Sequence, residues 1–207
     1  MKKILSLTML LLVSFACMAC GQSNAGTSNT GTSKAAADTA AANAPNGEQA
    51  KTLVVYFSVT GTTAEIGDKL ADILQADKYV VQAAKPYTKE DLNYHNDQTR
   101  ATVEQRDDKA RPAIAGSLPD LSKYDTVYLG YPIWWGQAPK IMYSLVEQCD
   151  LSGKKVVPFC VSAQSDIGSS ADILQEFAKG KADWKQGKRF AAGASKQELE
   201  AWVKTLQ

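Results

Sequence analysis

Four hydroxyl-bearing side chains and one glycine lie within six consecutive residues, directly after an apolar run. These six residues are Ser58, Val59, Thr60, Gly61, Thr62 and Thr63. If a helix begins here, its first backbone N–H groups are unpaired and carry a partial positive charge, which suits a phosphate. The hydroxyls add further donors, and a glycine lets the backbone turn tightly. The pattern therefore predicts a phosphate site, although an ordinary strand–helix turn capped by Thr62 would use the same residue types.

Other nucleotide sites and catalytic sites need residue types that this stretch does not contain. A nucleoside-triphosphate loop needs the lysine of GxxxxGK[ST], and no lysine or arginine lies between Ser58 and Thr63. A dinucleotide fingerprint needs GxGxxG, and the stretch has a single glycine. His95 is the only histidine and lies in a polar segment, and the chain has no cysteine–histidine cluster of the metal-binding type. We expect a solvated His95 and no bound metal.

The chain alternates strand-like and helix-like patterns after residue 50. Apolar runs predict strands at 51–57, 78–84, 124–132 and 154–162, with a fifth strand within 184–193. Apolar residues at helical spacing predict helices at 62–76, 96–106, 138–149, 169–180 and 195–206. Capping-box patterns, Thr62 with Glu65 and Ser195 with Glu198, mark two of the helix starts. The alternation predicts an α/β fold with a five-stranded parallel sheet in the order 2-1-3-4-5 and helices on both faces.

In such a sheet, ligands bind beyond the carboxyl ends of strands one, three and four. This rule selects a first loop at 58–63, a second loop at 131–139 and a third loop at 162–168. The second loop contains Pro132, Ile133, Trp134, Trp135 and Gly136, and the third contains Ser162, Gln164 and Asp166. The two tryptophans offer flat apolar faces. We expect one of them to belong to the core, and the sequence leaves open which one.

Several of these stretches resemble a known family. "YFSVTGTT" resembles the FMN-phosphate loop of flavodoxins, S-x-T-G-[NT]-T. "LGYPIWWGQAPKIMYSLVEQCDLSGKKVVPFC" and "DLNYHNDQTRATVEQRDDKARPAI" are similar to segments of a bacterial flavodoxin-like family. The resemblance covers nearly all of residues 51–207. It implies a flavodoxin-like fold with FMN as the cofactor and the FMN phosphate on the first loop.

The resemblance also assigns roles to the second and third loops. The flavin ring should lie at the second loop, where stacking on a tryptophan is worth roughly 0.5–1.5 kcal/mol beyond burial. An electron-rich neighbour would also lower the flavin potential by disfavouring the reduced, anionic ring. In the third loop, relatives tend to carry glycines where Gln164 to Asp166 stand. Gln164 could hydrogen-bond the ring edge and Asp166 could place a negative charge near it, or both could form a solvated turn.

The first fifty residues read as a targeting segment and a linker. Lys2 and Lys3 precede a short apolar stretch that is typical of a secretory signal, here residues 1–19. "CMACGQSN" resembles a bacterial lipoprotein box, which implies lipidation of Cys20, with Cys17 as the weaker candidate. Residues 20–50 contain little that could form a core and predict a disordered tether with a reach of roughly 30 Å. A single domain at 51–207 follows.

Charge and cysteines limit the remaining possibilities. Removing the signal would leave 21 basic and 22 acidic side chains, which is not the electrostatic footprint of a nucleic-acid-binding protein. Export would expose Cys149 and Cys160 to an oxidising compartment. We nevertheless expect no disulfide between them, because Cys149 should lie near the strand starts and Cys160 roughly 20 Å up the fourth strand.

The sequence therefore supports three hypotheses about function. The first is an exported cell-envelope lipoprotein, membrane-bound through its lipid, that uses FMN to pass electrons one at a time to or from a redox protein or a quinone. The second is an FMN-dependent quinone or NAD(P)H oxidoreductase. The third is a binding module that has lost its flavin. Absorbance of the purified protein near the flavin band would separate the third hypothesis from the other two.

Overall fold

A parallel sheet with helices on both faces is built from the alternating segments. The structure, a computed structural model, describes residues 51–206. The predicted signal at 1–19, the lipidation site at Cys20 and the tether at 20–50 lie outside the described residues. The strands are β1 (Thr52–Phe57), β2 (Asp77–Val81), β3 (Thr126–Pro132), β4 (Lys155–Val161), β5 (Asp183–Trp184) and β6 (Lys188–Phe190). The helices are α1 (Thr62–Leu74), α2 (Arg100–Arg106), α3 (Lys140–Gln148), α4 (Ser170–Phe177) and α5 (Lys196–Lys204).

The strand order is β2-β1-β3-β4-β5, with β6 also paired to β4, so the predicted 2-1-3-4-5 topology is confirmed. All of the strand pairs are parallel. Alternate residues of β1 enter different cores: Val55 and Phe57 pack on the face covered by α3 and α4, whereas Val54 and Tyr56 pack on the face covered by α1 and α5. Burial on both faces is the reason that β1 and β4 are almost continuously apolar.

The fifth strand position differs from the expectation of one strand within 184–193. Two short strands share it: β5 pairs with Lys155 and Val156 of β4, and β6 pairs with β4 from Phe159 onward. The interruption faces Pro158, which has no N–H to donate to a neighbouring strand. Gly187 lies in the interruption, where a Cβ atom would meet Pro158 at 3.2 Å. The edge of the sheet is therefore broken where β4 cannot sustain a ladder.

Two helix starts also differ from the pattern. The helix predicted at 96–106 begins only at Arg100, because the side chains of Asn93 and Asn96 accept hydrogen bonds from the N–H groups of His95 and Gln98 and hold turns instead. The capping box at Thr62 is wrong, because Gly61 is the cap residue and no side chain caps it. At α5 the serine half of the predicted capping box is confirmed, because Ser195 Oγ accepts a 3.2 Å hydrogen bond from the N–H of Glu198.

The two described cysteines are free, buried and well separated along the sheet. Cys149 follows α3 and lines a cavity of about 10 Å³ together with Val156, near the start of β4. Cys160 lies four residues beyond Val156 in β4. At roughly 3.3 Å per residue, it is about 13 Å further along the strand than Val156. Burial raises the pKa of Cys149 to about 11 and that of Cys160 to about 12. Both sulfurs are therefore protonated and unreactive at neutral pH.

Replacing Gly67 by alanine should destabilise the protein, contrary to helix propensity. In an open helix the change gains about 1 kcal/mol. In α1, however, the new Cβ would overlap the ring of Tyr56, and overpacking of this kind costs about 1–3 kcal/mol. Denaturant unfolding of Gly67→Ala should show the loss. The same substitution in a Tyr56→Ala background should cost little, because alanine removes the ring atoms that the new Cβ would overlap. An equal loss in both backgrounds would contradict the explanation.

Candidate functional site

The three predicted loops follow strands whose carboxyl ends are level. In the sheet register, Tyr56 of β1 is paired with Gly130 of β3, and Pro132 of β3 with Val161 of β4. Each loop also contributes apolar side chains to the same core cluster: Val59 from the first loop, Ile133 and Trp134 from the second, and Ile167 from the third. The loops therefore lie at one edge of the sheet, as the topology predicted, and each is anchored in the same core cluster.

The first loop keeps its hydroxyls free of the helix that follows. Gly61 adopts the left-handed conformation with φ +91°, and a side chain there would meet open space. Ser58 Oγ accepts a 3.2 Å hydrogen bond from the Gly61 N–H, and the Thr60 and Thr62 hydroxyl oxygens lie 3.4 Å apart. The first helical bond of α1 runs from the Glu65 N–H to the Gly61 carbonyl. The N–H groups of the three residues before Glu65 are therefore open to a ligand.

The hydroxyl of Thr63 tests whether the first loop fits a phosphate. Its side chain is completely buried. Among the side chains of residues 51–206, its hydroxyl is the one buried polar group without a hydrogen-bond partner. Such a group costs about 1–3 kcal/mol. A phosphate seated on the first loop would accept the hydrogen bond of this hydroxyl, so the residues present fit the phosphate of FMN.

The second loop closes on itself through a strained turn. The N–H of Trp134 donates to the carbonyl of Gln137 at 2.9 Å, and the Gln137 N–H donates back at 3.0 Å. Trp135 and Gly136, between them, both lie in the left-handed region, with φ +48° and +77°. This conformation costs a residue with a side chain about 1–2 kcal/mol. Strain of this kind is common at ligand sites, where the surrounding structure must hold it in place.

The two tryptophans have different environments, which resolves the question that the sequence left open. Trp134 packs edge-on against Phe57 and Tyr87, with ring centroids 5.7 and 5.2 Å apart, and is half-buried on the core. Trp135 is 40% exposed. Trp134 is therefore the core residue of the pair, and Trp135 is partly open to solvent. Pro132, which the sequence placed in the second loop, is the last residue of β3.

The third loop is polar and mostly exposed. Ser162 Oγ accepts a 3.0 Å hydrogen bond from the Ser165 N–H, and Asp166 Oδ1 accepts one of 2.8 Å from the Ile167 N–H. Gln164 and Asp166 are both exposed. Arg189 of β6 donates a 2.8 Å hydrogen bond to the Ser162 carbonyl and so stabilises the start of the loop. The sequence did not predict this contact. Contact of Gln164 or Asp166 with the ring stays a prediction.

A second group of residues that the sequence reasoning missed comes from the connection between β2 and β3. Arg100 forms a 2.7 Å ion pair with Glu104, and its guanidinium lies 3.9 Å above the Tyr87 ring. The Tyr87 hydroxyl donates to the Glu104 carboxylate. Burial, followed by this carboxylate, raises the pKa of Tyr87 far above its usual range. The i,i+4 spacing of Arg100 and Glu104 was a visible signal, but nothing in the sequence tied the pair to Tyr87 or Trp134.

Other kinds of site find little support in the described part of the chain. No three metal-ligating side chains cluster anywhere within residues 51–206. None of the helices in that range combines the length and hydrophobicity that crossing a bilayer requires. An open groove of about 280 Å³ lies beside the first loop, between Ser58, Val80 and Tyr87. The first loop is therefore reachable from solvent on the β2 side.

Comparisons with known proteins agree with this geometry. The family model described as Flavodoxin matches residues 51–206. The structure of a protein from Bacteroides eggerthii, described as a flavoprotein, is 41% identical with a TM-score of 0.70 and covers 75% of this chain and 96% of its own. A second such protein, from Bacteroides uniformis, is 40% identical with a TM-score of 0.71 and covers 75% of this chain and 98% of its own.

A more distant structure shares only the fold. It is a flavoprotein of Lactobacillus acidophilus in complex with FMN, 18% identical with a TM-score of 0.53, covering 74% of this chain and 99% of its own. Comparison with curated protein sequences gives no significant match.

Replacing Thr63 by valine should separate ligand binding from stability. Valine has nearly the same shape and removes the unpaired hydroxyl, so the free energy of unfolding of the flavin-free protein should stay the same or rise by about 1 kcal/mol. Affinity for FMN should fall about tenfold, because a hydrogen bond to a charged phosphate is lost. Affinity for riboflavin, which has no phosphate, should not change. Titration with both flavins and denaturant unfolding measure these effects.

Thr102→Val is the matched control for the stability measurement. Thr102 is also fully buried, but its hydroxyl is paired with that of Thr99 at 2.8 Å. Valine at this position should destabilise the protein, since it leaves a partner without its hydrogen bond. Equal affinity of the wild-type protein for FMN and riboflavin would contradict the assignment of the first loop.

Proposed function

The chain belongs to the flavodoxin family, and from this membership we propose that it is an FMN-dependent electron carrier, exported and held at a membrane by a lipid on Cys20. Family membership supports FMN as the cofactor. The observation that carries the assignment is the buried hydroxyl of Thr63, which has no protein partner and lies where α1 begins. A phosphate is the ligand that both features favour.

Each loop has its own part in this proposal. The hydroxyls of Ser58, Thr60, Thr62 and Thr63, together with the first N–H groups of α1, hold the phosphate. In the second loop, Ile133 and Trp134 pack on the core, so that the turn presents Trp135 to the ring. In the third loop, a negative Asp166 close to the ring would oppose the added charge of the reduced flavin. When bound, FMN supplies the electron chemistry, and the protein supplies binding and electrostatics.

We favour a carrier over a nicotinamide-dependent enzyme because an exported protein would work where nicotinamide cofactors are not normally supplied. The predicted signal has Lys2 and Lys3 and no twin arginine, so export would follow the general secretory route. The domain would then work where NADPH is not normally available. The sequence also contains no GxGxxG motif for a second nucleotide. Electrons would arrive from a redox protein and leave to another protein or a quinone, with the tether, of roughly 30 Å reach, allowing the domain to visit both.

Stopped-flow mixing tests the carrier against the oxidoreductase. The FMN-loaded protein should be reduced slowly or not at all by NADPH or NADH, because it has no motif that would seat the nicotinamide cofactor. Dithionite serves as the control, since it should reduce the same sample completely. Rapid reduction by either nucleotide, followed by turnover of a quinone, would establish the FMN-dependent oxidoreductase instead. A protein that takes up no FMN at all would leave the flavin-free binding module.

Lipidation is tested by two neighbouring cysteines. Wild-type protein should fractionate with membranes and show an intact mass that includes the lipid, because Cys20 follows small Ala19 in the box. Cys20→Ser should abolish both properties. Cys17→Ser is the matched control, and it should leave them unchanged because Cys17 lies within the segment that cleavage removes. A soluble wild-type protein without a lipid would end this part of the proposal.

A further inference from the structure

Gln105, near the end of α2, contacts the second loop on both sides of its turn. The Nε2 of Gln105 donates to the Trp134 carbonyl at 3.0 Å and to the Ala138 carbonyl at 3.2 Å. Its Oε1 accepts a 3.0 Å hydrogen bond from the N–H of Lys140. The amide thus uses both of its donor hydrogens and one acceptor on main-chain groups that flank Trp135 and Gly136.

Two of the three partners, the Ala138 carbonyl and the Lys140 N–H, are not paired by the loop itself, whereas the Trp134 carbonyl also accepts from the Gln137 N–H. Lys140 is the first residue of α3, where the backbone N–H has no partner within the helix. The cap residue before it is Pro139, which provides no side-chain cap. Gln105 therefore caps α3 from a different helix. At the same time it closes the base of the turn, next to the two mutual hydrogen bonds of Trp134 and Gln137.

Two ion pairs between α3 and the residues just after α2 help to hold Gln105 in position. Arg111 forms a 2.7 Å ion pair with Glu147, which raises the pKa of the guanidinium. The buried Lys140 places its Nζ 3.5 Å from Asp108. Asp108 and Arg111 lie just after α2, so both ion pairs join the end of α2 to α3. The second loop is therefore attached to the connection between β2 and β3 as well as to its own strand and helix.

We infer that Gln105 is a positioning residue for the flavin ring, because it holds Trp135 and Gly136 in the strained turn that receives the ring. The inference rests on the proposed function. A left-handed tryptophan favours relaxation of the turn, and the Gln105 hydrogen bonds oppose that relaxation. Without them, only a fraction of the molecules would have the binding-competent loop, and the apparent affinity for flavin would fall by that fraction.

Two substitutions test the donor role of the amide. Gln105→Met keeps the length of the side chain and removes all three hydrogen bonds. Gln105→Glu keeps the acceptor for Lys140 but places carboxylate oxygens against two carbonyl oxygens. We expect the affinity for FMN and for riboflavin to fall by the same factor, about tenfold for methionine and more for glutamate. The visible circular dichroism of the bound flavin should change as well, because the surroundings of the ring change.

Matched variants distinguish positioning from a general loss of stability. Val127→Ala removes buried side-chain volume near the start of β3. It should lower the free energy of unfolding while leaving both flavin affinities at the wild-type level. Thr63→Val should weaken FMN alone. If the Gln105 variants bind both flavins within about twofold of wild type at comparable stability, or weaken FMN alone, the inference is overturned.

Hydrogen exchange of the flavin-free protein gives a readout that needs no cofactor. In Gln105→Met, the amides of Gln137 and Lys140 should exchange about tenfold faster than in wild type, while those of the central strands keep their rates. Unchanged exchange at both amides would overturn the inference. Failure of the wild-type protein to bind any flavin would instead overturn the proposed function, and the exchange rates would then decide whether Gln105 fixes the turn.

Discussion

The alignment of β1, β3 and β4 at their carboxyl ends is the constraint on which the site depends. Burial on both faces sets this register, because sliding a strand along its neighbour would move apolar side chains out of their packing positions. Val54 and Val55, adjacent in β1, belong to different cores and so hold the strand from both sides. The loops after the three strands inherit the alignment. Each loop packs an apolar residue into the same core cluster, and its polar and exposed residues therefore lie at the same edge of the sheet.

Two features of the candidate site are energetically unfavourable by themselves and depend on the stability of the rest of the domain. The hydroxyl of Thr63 is buried without a partner, and Trp135 holds a backbone conformation that favours glycine. Both features cost free energy in the flavin-free protein, and a flavin phosphate and ring would recover it. The two cores beneath the loops provide the stability that makes these costs tolerable. Packing, ion pairs and helix caps from neighbouring segments determine where the strained residues can persist.

Much of this architecture could be predicted from sequence, because it follows from local patterns. Continuous apolar runs and helical spacing give the sequence of strands and helices, and the rule of right-handed crossovers leaves few strand orders that fit it, the observed one among them. The features that could not be predicted depend on partners distant in the chain. The split fifth strand follows from Pro158 on its neighbour, and the environment of Trp134 follows from Tyr87, forty-seven residues earlier. The capping box at Thr62 failed because Gly61 took the cap position. Gln105 gave no signal, since it contacts main-chain groups that any sequence would have.

The direction of β1 has a further consequence for how the protein would be presented to its surroundings. The chain enters the sheet at Lys51, at the amino edge, while the candidate site lies at the carboxyl edge, six strand residues or about 20 Å away. A tether that ends at Lys51 would join the domain at the edge of the sheet opposite the candidate site. The tether would therefore enter the domain away from the three loops. A partner that docks over the three loops would then not compete with the tether for space, whichever way the domain turns.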